Sequence, residues 1–99
     1  MNMQNLMQQA QKMQRDIQKK QAEIDATTFE GKSEWITLTM NGKRELKTFK
    51  ITQTSISDAE DIEMLEDMVT IAINDVLSKI DKEIESKMGA AGGGLAGLI

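Results

Sequence analysis

The stretch from Met3 to Ala26 constrains the fold more than any other part of the chain. Apolar residues stand at Met3, Leu6, Ala10, Met13, Ile17 and Ile24, alternately three and four apart, with only Lys20 interrupting the series. That spacing lays a single apolar seam along one side of an α-helix, as in a coiled-coil contact. The positions between are mostly Gln, Lys and Glu, all good helix formers. The spacing predicts a helix over 3–26, about 36 Å long at ~1.5 Å per residue.

A seam of that length needs a covering surface, and the rest of the chain is short. With 99 residues there is room for one domain and a modest core. After Thr27-Thr28 the period changes. Ile36, Leu38 and Met40 alternate with Thr37 and Thr39, the pattern of a strand with one buried face. Asn41-Gly42 is a two-residue hairpin signal. The return strand carries Leu46, Phe49 and Ile51. Leu46 is out of phase with the other two, which predicts a bulge near Lys47-Thr48. Phe29 marks a short strand before Gly31.

Ser57-Asp58-Ala59-Glu60 reads as a capping box that opens a second helix over 58–88. From Met68 to Leu77 this helix is apolar nearly all round, which predicts burial on several sides. Leu77, Ile80, Ile84 and Met88 continue a narrower stripe. A small hairpin cannot cover a helix of about 46 Å, so the remainder needs a partner, and an identical chain is the simplest one. The domain is therefore read as 1–88, followed by a flexible Gly/Ala-rich tail, GAAGGGLAGLI, over 89–99. Docking of Leu95, Leu98 and Ile99 is the alternative for that tail.

Composition excludes more than it assigns. The chain has no Cys and no His, which removes disulfides, thiolate chemistry, the usual nucleophile–base pairs and the commonest zinc ligands. No enzyme activity, cofactor, metal or small-molecule substrate is expected. No apolar run approaches the ~20 residues of a membrane helix, and the first residues, MNMQNLMQQAQKMQ, hold no apolar signal segment. The expectation is a cytoplasmic protein with no membrane partner. The net charge is −4, but residues 1–57 carry +3 and residues 58–99 carry −7. Local potential, more than the sum, steers a polyanion.

The basic residues of the first helix are the main candidate site. Lys12, Arg15 and Lys19 share one face, opposite the seam, with Gln8, Gln11 and Gln18 beside them. Lys and Arg neutralise phosphates, and Gln hydrogen-bonds phosphate oxygens or base edges. An ordinary solvated face uses the same residue types, but this one is short of acids, since only Asp16 interrupts residues 1–22. A second cluster, Lys43, Arg44, Lys47 and Lys50, reads equally as protection of an exposed strand edge or as phosphate contact. Lys79, Lys82 and Lys87 are interleaved with Asp81, Glu83 and Glu85 and read as salt-bridged solvation. Glu60, Asp61, Glu63, Glu66 and Asp67 complement the helix dipole; a metal site is the weaker reading.

Taken in order, these elements resemble the YbaB/EbfC family of bacterial nucleoid-associated proteins. The resemblance rests on QQAQKMQ, on the Asn41-Gly42 turn, and on Leu65-Glu66-Asp67 and Asn74-Asp75 within the second helix, and it covers about residues 3–88. It departs at Thr52-Gln53-Thr54, where an Asp-Pro is common in the family. The resemblance implies an α+β, α-β-β-β-α protomer with a small antiparallel three-stranded sheet, paired into a tweezer-like intertwined homodimer. It also implies binding of duplex DNA with low sequence preference, in the nucleoid. It maps DNA contact onto Lys12, Arg15, Lys19 and Lys20, and secondarily onto Lys79, Lys82 and Lys87. The competing reading is a coiled-coil protein-interaction module that binds no DNA.

Overall fold

The computed structural model describes residues 2–98, with side chains described for 2–89. Its elements are α1 (Met3–Ala26), β1 (Phe29–Lys32), β2 (Ile36–Met40), β3 (Leu46–Ile51) and α2 (Ala59–Leu98). The expected α-β-β-β-α order is therefore present. The strands form an antiparallel sheet in the order β1-β2-β3.

Helix α1 begins where Asn2 caps it, its side chain accepting the Gln4 N–H at 2.9 Å. It ends as Thr27 turns extended. Helix α2 is capped one residue later than its capping-box reading. Asp58, not Ser57, accepts the Asp61 N–H at 2.9 Å, and the Asp61 carboxylate returns to accept the Ser57 N–H at 3.1 Å. At Gly89 the backbone takes φ 61 and ψ −151, which interrupts α2 one residue past the expected end at Met88; helical backbone then resumes to Leu98. The expected flexible tail over 89–99 lies mostly outside the residues whose side chains are described.

Ile36, Leu38 and Met40 are buried on one face of β2, as their alternation predicts. They meet Phe29 on β1 and Ala72, Val76 and Ile80 on α2 to form the core. Gly31 permits this approach, because a Cβ there would stand 2.3 Å from the Ala72 carbonyl oxygen and 2.8 Å from the Val76 Cβ. The bulge falls where expected. Thr39 is opposite Thr48 and Met40 opposite Leu46, which leaves Lys47 as the extra residue.

Two expectations are corrected. The 68–77 segment is covered on one side only within the chain: Ala72 and Val76 are buried, but Ile71 is 51% exposed. Three short strands have too little width to wrap a helix. The hairpin turn is also longer than two residues. Asn41 N–H bonds the Glu45 carbonyl and Arg44 N–H bonds the Asn41 carbonyl, so the loop is Gly42-Lys43-Arg44, with Arg44 in the left-handed region at φ 63. This is a type I turn closed by a residue of positive φ.

The two edges of the sheet differ. Along β1, Lys32 N–H donates to Asp75 Oδ2 at 3.0 Å, and Lys79 Nζ donates to the Glu30 carbonyl at 2.7 Å. Side chains of α2 thus occupy the outward backbone groups of that edge. Strand β3 is exposed along its whole length, including Leu46, Phe49 and Ile51, which sit opposite the buried Met40, Leu38 and Ile36. They lie on the core face of the sheet, but α2 packs on β1 and β2 and leaves them uncovered.

Candidate nucleic-acid interface

Ile24 is the only buried residue of α1. Near that end, Glu23 faces Lys87 of α2 at 3.7 Å, and Lys87 also meets Glu83 at 3.8 Å. From Ile17 back to Asn2 every residue is exposed, and nothing among the described residues buries the helix there. Met3 is 77% exposed and Met13 65%. Helix α1 is thus an arm rooted at Ile24, with its apolar seam and its polar face both open.

Gln8, Gln11, Lys12, Arg15, Lys19 and Lys20 are all exposed on this arm. None of the four cations is in an ion pair among the described residues. Gln11, Gln14, Arg15 and Gln18 line a shallow open groove, a row spaced for one helix face. Lys12 and Lys19 flank that row, whereas Lys20 falls on the seam, four residues before Ile24.

The secondary candidates are placed differently. Lys79 lies beside β1, within 3.1 Å of Asp75 and bonded to Glu30, so its ammonium is engaged in closing the sheet edge. The Lys32 backbone N–H, then the Lys79 ammonium, holds the Asp75 carboxyl below the usual carboxylate range. Lys82 is exposed and outside any ion pair among the described residues. Lys87 bridges the helices at the root of the arm.

In the hairpin, Arg44 pairs with Asp81 at 2.6 Å. Lys43, Lys47 and Lys50 are exposed and unpaired among the described residues. Residue spacing gave no hint of the Asn41 side chain's role. Its Oδ1 accepts from both Lys43 N–H at 3.0 Å and Glu45 N–H at 3.1 Å. An Asn at the first position of a type I turn was the available signal. Among the described residues no group of three or more acids is placed to hold a metal ion, and no helix is long and apolar enough to cross a membrane.

The fold and this surface define a class: a small α+β body that carries a long helix clear of its core, with uncompensated cations and amides along it. Comparison with known proteins gives the class a family. The chain belongs to the YbaB/EbfC DNA-binding family, whose model matches residues 1–95. It is 48% identical over 99 residues to a nucleoid-associated protein of Streptococcus equi subsp. zooepidemicus, covering 96% of this chain and 97% of that one. It is 50% identical over 91 residues to a nucleoid-associated protein of Lactococcus lactis subsp. cremoris, covering 90% and 91%. A nucleoid-associated protein of Streptococcus agalactiae is 46% identical over 95 residues, covering 94% and 95%.

Proposed function

We propose that this protein is a DNA-binding nucleoid protein that works as a homodimer and grips duplex DNA through the basic face of α1, with low sequence specificity. Membership of a DNA-binding family and the names of the relatives support the partner and the location. The observation that carries the reading is the arm itself. Lys12, Arg15 and Lys19 stand exposed, and unpaired among the described residues, on one face of a helix that leaves the core beyond its root at Ile24. Phosphate neutralisation supplies affinity without reading sequence. Contacts of that kind carry no sequence information, so discrimination among sequences is expected to be small. Binding of that kind suits a protein that organises the chromosome and modulates expression broadly.

The homodimer has its own support. Large apolar residues stand exposed along the α1 seam, on the core side of β3, and at Ile62, Met64 and Ile71 of α2. A second copy covers such surface and doubles the cationic arms, so that two weak sites act together.

The exposed seam through Met3, Leu6 and Met13 favours a second reading, in which the arm is a coiled-coil surface for another protein. The deciding experiment is fluorescence anisotropy of a labelled random-sequence duplex titrated with the protein at several salt concentrations. Log-linear weakening with salt supports the DNA reading. No binding at low salt, together with a protein partner retained at high salt, supports the second.

A further inference from the structure

The turn between β2 and β3 is held more firmly than an exposed hairpin requires. Asn41 Oδ1 ties down two of its N–H groups. Gly42 is buried against the main chain of Ile24, at the root of the arm. Arg44 takes a backbone conformation that side chains other than Gly adopt at a cost, and is pinned to Asp81 of α2. Three different elements thus fix a loop of three residues. What that loop and the following strand present is Lys43, Lys47 and Lys50, all exposed and unpaired among the described residues.

We propose that Lys43, Lys47 and Lys50 form a second phosphate-binding surface for the duplex held by the arm. This rests on the DNA-binding reading above. Discouraging edge pairing requires lysines but no rigid turn. A cation displayed from a fixed backbone loses less freedom on binding, which is what a phosphate contact gains from rigidity. The bulge at Lys47 takes it out of the strand alternation. Lys50 is opposite Thr37, on the polar face of the sheet, away from Phe49 and Ile51. A partner that covers the apolar face therefore leaves Lys50 open. The turn touches α1 at Ile24, one helical turn from Lys20 and on the seam side of the arm, so it stands at the root from which the cationic helix leaves the body.

One acid faces the cluster. Glu45 accepts from Asn41 Nδ2 at 2.7 Å. That bond, then the charges of Lys47 and Lys43, holds its carboxyl below the usual range. Both lysines therefore lie within electrostatic reach of Glu45, which tempers the surface.

The test compares the parent with the triple variant Lys43→Gln, Lys47→Gln, Lys50→Gln and with Glu45→Gln, by anisotropy on a random-sequence duplex at several salt concentrations. The triple variant is expected to bind at least about tenfold more weakly at low salt. Its log–log salt slope is expected to fall by about 2–3 for each protomer whose hairpin engages the duplex, at ~0.9 for each phosphate no longer neutralised. Glu45→Gln keeps an acceptor for Asn41 but removes the charge, and is expected to bind severalfold more tightly. Should the triple variant misfold, Glu45→Gln decides alone. An unchanged slope and an unchanged Glu45→Gln, alongside loss of binding on reversing Lys12, Arg15 and Lys19, overturn the second surface and leave the arm reading intact. A parent that does not bind the duplex at all overturns both.

Discussion

Gly42 is pressed against the main chain of Ile24, so that a Cβ on Gly42 would stand 2.1 Å from the Ile24 carbonyl oxygen. Its φ is not in the left-handed region; that place in the turn belongs to Arg44. Close approach, not conformational freedom, is what the glycine provides. Gly42→Ala is predicted to force the turn off the root of the arm at about 1–3 kcal/mol, the usual cost of overpacking. At fixed protein concentration that lowers the melting temperature by several degrees or more. Thermal denaturation followed by circular dichroism measures it, and an unchanged midpoint would show that the packing there yields freely.

Reversing charge on the arm has a different signature. Lys12→Glu, Arg15→Glu and Lys19→Glu together leave the core untouched, because all three side chains are exposed and unpaired among the described residues. The expected result is an unaltered melting curve with binding weakened at least about tenfold on every sequence alike, and a shallower salt dependence. Weakening on one sequence only would point to base reading.

Covering the apolar side of β3 is predicted to depend on Phe49, which is 43% exposed in the single chain. Phe49→Asp places a charge in the surface read as the dimer interface, and sedimentation is expected to show a monomer at concentrations where the parent is paired. A variant that stays dimeric would move the interface off β3.

The Asp75 carboxylate links pH to stability. The Lys32 N–H, then Lys79, lowers its pKa in the folded state. The stability this contributes is present above the unfolded value, ~3.9 for an ordinary Asp, and is lost as pH falls through the lower folded value. Asp75→Asn is therefore predicted to melt below the parent at neutral pH, with the gap closing in strong acid. A gap constant with pH would assign the effect to the hydrogen bond and not the charge.

Features governed by local spacing were legible in the amino-acid sequence. The α1 seam, the alternation in β2 and the bulge beside Thr48 each follow from a period or a break in one. Meetings between distant segments were not legible. Nothing near Lys79 announces that its ammonium reaches Glu30, 49 residues away. Nothing near Gly42 announces Ile24. The turn misled because Asn-Gly suits a two-residue loop, yet here Asn serves through its side chain and Gly through its size. For the arm, charge and spacing predicted that Lys12, Arg15 and Lys19 share one exposed face, and the structure exposes all three. That no ion pair engages them among the described residues depended on where α2 and the sheet came to lie.

The unlike edges of the sheet bear on how large an assembly can grow. Asp75 and Lys79 occupy β1, so among the described residues β3 is the edge that offers open backbone. A strand pairing there consumes the one free template, and the far side of a second copy presents another occupied edge. Strand addition beyond one further copy is thereby disfavoured, because Asp75 and Lys79 already hold the β1 backbone groups that would continue it.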